Sequence, residues 1–202
     1  MELHRTSNYS EERFALLNRV EGHKLFAYRD TDSIPTISIG INLRVHGDLV
    51  LGMLGFDVSG QLLTGEARTA EDEYIQRMKV AFKDTYADDE AVQRALEPIL
   101  TNRYNDSRYD SSYERITEFE FATEADSLSA FDAMMAGYSG FAGYEDQLDG
   151  WFVVQGIPPF GESKERIALV SLAFNNGGEL LGPKLAAALK SGDRAEAWYE
   201  IR

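Results

Sequence analysis

The chain has 202 residues, 44% of them hydrophobic and 27% charged, which is the balance of an ordinary globular protein. Its net charge of −14 excludes the broad basic face that binds nucleic acid and disfavours anionic membranes as partners. The absence of cysteine excludes disulfides and thiolate metal sites, and His4, His23 and His46 are too scattered to predict a metal site, so we expect no cofactor.

The first predicted element is a helix that begins at Ser10. The serine hydroxyl suits an N-cap, and two glutamates follow in the first turn, where the helix dipole favours negative charge. Phe14, Leu17 and Glu21 fall on one face at helical spacing. Gly22 then predicts the C-terminal end of the helix.

Alternation with period two next predicts a half-buried strand over 36–43. Its apolar residues face one side and its polar or small residues face the other. The apolar set is Ile37, Ile39, Ile41 and Leu43. The turn-forming stretch 30–33 leads into this strand, and we expect a second short strand near 49–51.

The rest of the chain predicts helices, so the fold class is α+β and mostly helical. Thr69 and Asp72 resemble a capping box, which opens a helix over 69–84. Further helices are expected over 88–100, 124–137, 163–176, 182–191 and 193–202. The helix 163–176 is apolar nearly all round, which predicts that it is buried at the centre of a helical lobe.

The stretch 101–161 is acidic and rich in serine and aspartate, and it is punctuated by aromatic residues. Its charged residues predict solvated surface. Its aromatic residues fit the core, an interface or a platform that stacks on sugar rings.

Glycoside hydrolysis requires one protonated acid and a second group that holds charge or activates water. Glu21 suits the first role, because it extends an apolar face and ends a helix, and both desolvation and the helix dipole raise a carboxyl pKa. Asp30 suits the second role in its polar turn, and the Thr36 hydroxyl can orient a water molecule. Many helices end in Glu and many turns begin with Asp, so this pattern alone leaves a plain structural role open for both residues.

A wider pattern surrounds these residues, formed by Glu21-Gly22, Tyr28, Asp30-Thr31, Thr36-Ile37 and Gly40. It resembles the N-terminal signature of the T-even phage lysozymes, glycoside hydrolase family 24. In that family a Glu, an Asp nine residues on and a Thr six residues further form the catalytic set, and Glu21, Asp30 and Thr36 have this spacing. The stretches 168–177 and 182–193 resemble the family's central helix and the helix that follows it.

The resemblance implies a lysozyme-like fold, in which a long helix joins a small N-terminal lobe with a short β-sheet to a helical C-terminal lobe. The expected parts are a polar extension (1–10), the N-terminal lobe (11–68), the joining helix (69–84), an enlarged insertion (85–160) and the C-terminal lobe (161–202). The amide of Asn175 would line a sugar cleft between the lobes. Asn42 and Phe174 are further predicted sugar contacts, although Phe174 suits the core equally well and Asn42 suits a cap.

The chain departs from the family pattern at several positions. Ser33 and Ser38 replace glycines, so we expect a backbone there that does not depend on positive φ. Ile41 replaces a common histidine. The family pattern continues past Arg202 with an arginine that pairs with the catalytic Glu, so the charge partner of Glu21 stays open and the chain is a candidate fragment of a longer protein.

These residues predict a muramidase that cuts the β-1,4 bond between N-acetylmuramic acid and N-acetylglucosamine in bacterial peptidoglycan. In an inverting reaction, Glu21 protonates the glycosidic oxygen while Asp30 and Thr36 hold a water on the opposite face of the ring. The alternatives are a lytic transglycosylase, which needs no water-activating partner, and a peptidoglycan-binding module without activity.

The sequence also suggests where such an enzyme would act. The polar N-terminus lacks the apolar core of a signal peptide, so we expect synthesis in the cytoplasm and delivery to peptidoglycan in the periplasm or cell wall. We expect a bacteriolytic monomer, either a phage lysin or a secreted antibacterial effector, with a delivery or immunity protein as a further partner. Because teichoic acid repels negative charge, the acidic chain predicts a preference for Gram-negative walls.

Overall fold

The computed structural model describes residues 3–176 and 181–200, and within these ranges the fold is α+β and mostly helical, as predicted. The helices are α1 (Tyr9–Glu21), α2 (Leu43–Met53), α3 (Gly65–Ala81), α4 (Asp89–Tyr104), α5 (Glu124–Ala136), α6 (Tyr144–Gln155), α7 (Lys164–Asn176), α8 (Pro183–Ser191) and α9 (Arg194–Glu200). The strands are β1 (Lys24–Arg29), β2 (Pro35–Ser38), β3 (Ile41–Asn42), β4 (Gly137–Tyr138) and β5 (Phe141–Ala142).

The chain divides into two compact units, one of residues 21–131 and the other of residues 1–20 with 132–202. We call them the sheet unit and the helical unit. None of the helices in the described ranges combines the length and the apolar character needed to cross a membrane.

The sheet unit contains an antiparallel three-stranded sheet in the order β1-β2-β3. The prediction of one strand over 36–43 is wrong, because this segment folds into a hairpin in which Ile37 pairs with Ile41. The chain reverses at Ser38 and Gly40, where φ is +61° and +93°. The predicted apolar set is nevertheless buried at all four positions: Ile37, Ile39, Ile41 and Leu43. Alternation therefore identifies the buried side chains, but it does not show where the backbone turns.

The strand expected near 49–51 is also wrong, because this segment belongs to α2. The helix begins after Asn42, whose Oδ1 accepts a hydrogen bond from the N–H of Arg44 at 2.9 Å. Val50 and Leu51 are buried on the core side of the helix. A short apolar run fits a strand or a helix equally well, and here the N-cap favours the helix.

Helix α3 begins at Gly65, earlier than the predicted start at Thr69, and buries the predicted apolar face. A buried ion pair joins it to α4. Glu71 and Arg103 both have 0% exposure, and Arg103 Nε donates to Glu71 Oε2 at 2.8 Å. This bidentate contact, completed by Nη2, holds the two helices in one register.

The helices predicted at 88–100, 124–137, 163–176 and 182–191 are confirmed as α4, α5, α7 and α8, with shifted ends. Helix α9 covers the part of 193–202 that the structure describes. Helix α6 lies where the sequence predicts no helix. Only Leu148 and Phe152 of α6 are buried, so its apolar face is too narrow to produce a clear helical pattern.

The helical unit is held together by a cluster of charges among α1, α6 and α7. The carboxylate of Glu145 binds both Arg13 and Arg166, whose side chains are largely buried. Arg13 Nη2 also lies 2.7 Å from Asp132 Oδ1, and Arg166 Nη1 lies 2.5 Å from Asp149 Oδ1. Each arginine therefore has two acidic partners, which compensates for the cost of burying its charge.

Candidate active site on the sheet unit

A row of side chains crosses the three-stranded sheet. Tyr28 of β1 pairs with Thr36 of β2, and Thr36 pairs with Asn42 of β3. Residues directly opposite each other on antiparallel strands share a face, with Cβ atoms about 5 Å apart. The sheet therefore brings together Tyr28 and Thr36 of the sequence pattern with the predicted sugar contact Asn42.

Glu21 is the last residue of α1, as predicted, and Gly22 follows with a φ of +79°. The side chain of Glu21 is exposed, because the buried face of the helix ends at Leu17. The expected desolvation of Glu21 by its own helix face is therefore wrong. No side chain within the described ranges forms an ion pair with Glu21, and Arg202 lies outside those ranges.

Asp30 closes the turn between β1 and β2 with its own carboxylate. Its Oδ1 accepts hydrogen bonds from the N–H groups of Asp32 at 2.9 Å and Ile34 at 2.8 Å. From the described part of the chain, Oδ2 accepts no hydrogen bond. The turn thus holds the carboxylate through one oxygen and leaves the other available to a water molecule.

Thr36 is only 2% exposed, and its hydroxyl donates to the carbonyl of Ile34 at 3.1 Å. A threonine oxygen that donates one hydrogen bond keeps lone pairs with which it can accept another. The Thr36 hydroxyl therefore keeps the capacity to accept a second hydrogen bond, but the residue contributes little open surface.

The hydroxyl of Tyr28 donates a hydrogen bond to the carbonyl of Ser38 at 3.3 Å. Burial raises the pKa of Tyr28 to about 12, and the N–H of Gly40 acts in the opposite direction. The negative charges of Asp30 and Glu21 raise the pKa further. The negative charge of Asp89 acts in the same direction.

Two charged residues of this region were not expected from the sequence. Lys24 Nζ lies 2.5 Å from Asp89 Oδ2 and 4.6 Å from the centre of the Tyr28 ring. Asp89 Oδ1 also accepts from the N–H of Arg29 at 3.1 Å, so it ties α4 to β1. The spacing of Lys24 and Tyr28 along one strand could have indicated a shared face, but no local signal pairs Asp89 with β1.

Ser33 and Ser38 adopt left-handed backbones with φ of +64° and +61°, and they are the only non-glycine residues in the described ranges with positive φ. The expectation that these positions avoid positive φ is therefore wrong. Such a conformation costs a residue with a Cβ about 1–2 kcal/mol. Ser33 Oγ accepts from Arg29 Nη1 at 3.1 Å and Ser38 Oγ lies 2.5 Å from Ser127 Oγ, and these bonds offset part of the cost.

The predicted sugar contacts lie in different units. Asn42 belongs to the sheet unit, where its Oδ1 caps α2. Phe174 and Asn175 belong to α7 of the helical unit. Phe174 is half-buried with its ring centre 5.5 Å from that of Tyr144, whereas Asn175 is exposed. Gly177, at the end of the second matching stretch, lies outside the described residues.

Among the residues described, no group of three or more histidine and acidic side chains is arranged to hold a metal ion. No protein-family model matches the chain, and neither a curated protein nor a solved structure matches it. The resemblance to the phage lysozymes therefore stays a prediction drawn from the residues themselves.

Proposed function

We propose that the chain is a lysozyme-like muramidase that hydrolyses the β-1,4 bond between N-acetylmuramic acid and N-acetylglucosamine in bacterial peptidoglycan. The observation that carries the proposal is the turn between β1 and β2, where Asp30 keeps one carboxylate oxygen free for a water molecule. Thr36 follows this turn in β2, opposite Tyr28, and Glu21 ends the helix that precedes β1. A pair of carboxyl groups, one of them free to bind water, is what glycoside hydrolysis needs.

The backbone of the two turns gives separate support. The family pattern has glycine where this chain has Ser33 and Ser38, and glycine is the residue expected where φ is positive. Both serines adopt positive φ here. The chain thus keeps a left-handed backbone at the two glycine positions although it lacks the glycines, which favours a common turn geometry.

In the proposed reaction, Glu21 donates its proton to the glycosidic oxygen while Oδ2 of Asp30 takes a proton from a water oriented by Thr36. The water oxygen bonds to the anomeric carbon as the bond to the leaving sugar breaks. Glu21 is exposed, so in this reaction the bound sugar covers its side chain.

The test uses purified peptidoglycan and three proteins: the unmodified chain, Glu21→Gln and the control Glu11→Gln. Glu11 is an exposed glutamate in the first turn of the same helix. We expect the unmodified chain and Glu11→Gln to release new reducing ends at similar rates. Glu21→Gln should be slower by at least about 100-fold, the range attributed to a general acid.

The products distinguish the alternatives. Saturated muropeptides identified by mass support hydrolysis, whereas anhydro sugars would indicate a lytic transglycosylase. Binding to walls without any cleavage would indicate a binding module. Equal activity of Glu21→Gln and the unmodified chain would end the assignment of Glu21.

A further inference from the structure

The segment 118–122 contacts β1 at the edge that does not pair with β2. Phe26 forms an antiparallel bridge with Glu120, and the N–H of Phe121 donates to a β1 carbonyl at 2.9 Å. The two phenylalanines of the segment are buried, whereas Glu118 and Glu120 are exposed. Period-two alternation thus directs both glutamates to the same outer face.

These glutamates line a cavity of about 600 Å³ in the sheet unit. Its lining also includes Tyr104, Tyr113 and Arg115. The volume falls within the range of about 300–1,000 Å³ that is common for small-molecule sites. Aromatic rings and groups of both charges therefore meet in one concave site.

Arg115 has no polar partner in this cavity. Its Cζ lies 4.8 Å from the centre of the Tyr109 ring and 5.9 Å from that of Tyr104. Its Nε and Nη1 are buried without a hydrogen bond, and no carboxylate in the described ranges pairs with it. Nη2 is the nitrogen of this guanidinium that is not buried, so it is the one that can donate to an acceptor of a ligand in the cavity.

No ion pair in the described ranges joins Glu118 or Glu120 to Arg115, although all three line the cavity. The interaction with Glu118, together with partial burial, raises the pKa of Glu120 above its usual range. A cation would stabilise two neighbouring carboxylates. The cavity therefore contains a positive site at Arg115 and a separate negative site at Glu118 and Glu120.

We propose that this cavity binds a zwitterionic amino-acid group, with the ligand carboxylate at Arg115 and the ligand ammonium at Glu118 and Glu120. A ligand with a single kind of charge would satisfy only one of the two sites. The ring of Tyr104, which is 48% exposed, offers an apolar surface for the aliphatic part of the ligand.

This binding site also adds detail to the proposed function. The link to peptidoglycan rests on that proposed function. Phe26 of β1 lies opposite Glu120, which lines the cavity, and Tyr28 follows two residues later on the same strand. The cavity and Tyr28 are thus both adjacent to β1. Peptidoglycan carries peptide stems on its glycan, and the free ends of these stems contain both ammonium and carboxylate groups, so the cavity would bind the stem beside the cut bond.

The binding test compares three related probes, each added to the full-length protein and followed by titration calorimetry and amide NMR shifts. meso-Diaminopimelic acid carries both charges, pimelic acid carries carboxylates alone and cadaverine carries ammonium groups alone. We expect diaminopimelic acid alone to bind and to shift the amides of segment 111–122. Arg115→Gln and Glu120→Gln should each weaken binding by at least about tenfold, the loss of one charge-assisted contact.

Two controls keep a folding defect apart from a binding defect. Glu97→Gln changes an exposed glutamate of α4 outside the cavity lining and should bind like the unmodified chain. Arg115→Lys keeps the positive charge and should recover part of the affinity. The melting temperature of every variant is measured, and binding is compared among variants whose melting temperatures are equal. Equal binding of pimelic acid or of cadaverine would overturn the proposal, as would no binding of any probe.

The two proposals fail separately. Glycan cleavage without binding of diaminopimelic acid would refute only the amino-acid site. Binding without glycan cleavage would support the amino-acid site and refute the proposed muramidase.

Discussion

Replacing Ser33 by glycine and, separately, by alanine tests the backbone of the turn that holds Asp30. Both variants lose the hydrogen bond from Arg29 to the Ser33 hydroxyl, so this loss cancels in the comparison. The φ of +64° costs alanine about 1–2 kcal/mol. Glycine avoids that cost, but its larger conformational freedom in the unfolded chain reduces its stability advantage over alanine by about 0.5–1 kcal/mol. We expect Ser33→Gly to be more stable than Ser33→Ala by about 0.5–1 kcal/mol.

Urea unfolding measures this difference, with Ser129 as the matched control. Ser129 is an exposed residue within α5, where glycine is less favourable than alanine by about 1 kcal/mol. The sign of the glycine-minus-alanine difference should therefore reverse between positions 33 and 129. If Ser33→Ala is as stable as Ser33→Gly, the backbone at Ser33 is not left-handed, and the support that this turn gives to the proposed function is lost.

Three further predictions concern the core of the sheet unit. Arg103→Met should lower the free energy of unfolding by about 3–5 kcal/mol, because it leaves the Glu71 carboxylate buried without its partner; a loss under about 1 kcal/mol in urea unfolding would contradict this. Burial alone would raise the pKa of Asp57, but hydrogen bonds from the N–H groups of 61–63 outweigh it and lower the pKa to about 2. The folded pKa is thus below the unfolded value of 3.8, so about 2 kcal/mol of stability should be lost as the pH falls from 3.8 towards 2, and Asp57→Asn should flatten this part of the pH profile. Burial lowers the pKa of His46 from 6.5 to about 4, so nitrogen NMR should find a neutral imidazole at about pH 5 and stability should decline from pH 6.5 to 4; a charged ring at that pH would refute the burial.

Local patterns in the sequence predicted the helices well. The end of α1 at Glu21 and Gly22 follows from a glycine stop signal, which acts within one turn. The apolar set of the hairpin follows from alternation, since burial depends on which side each residue faces. Both features depend on neighbours along the chain, so a single sequence contains the information.

Features that depend on distant residues could not be predicted in this way. The pairing of segment 119–121 with β1 and the ion pair between Lys24 and Asp89 join parts of the chain that no periodicity relates. Arg115 illustrates the same limit, because its lack of a partner is a property of the whole cavity. The exposure of Glu21 was mispredicted for a related reason: the helical spacing continues past the last buried turn of α1.

The most direct test of the central claim is digestion of peptidoglycan in water labelled with heavy oxygen. Hydrolysis by Glu21, Asp30 and Thr36 inserts a solvent oxygen at the newly formed reducing end. We predict one labelled oxygen per cut with the unmodified chain and with Glu11→Gln, and cutting slower by at least about 100-fold with Glu21→Gln. Unlabelled anhydro products, or labelled cuts made equally fast by Glu21→Gln, would contradict the claim.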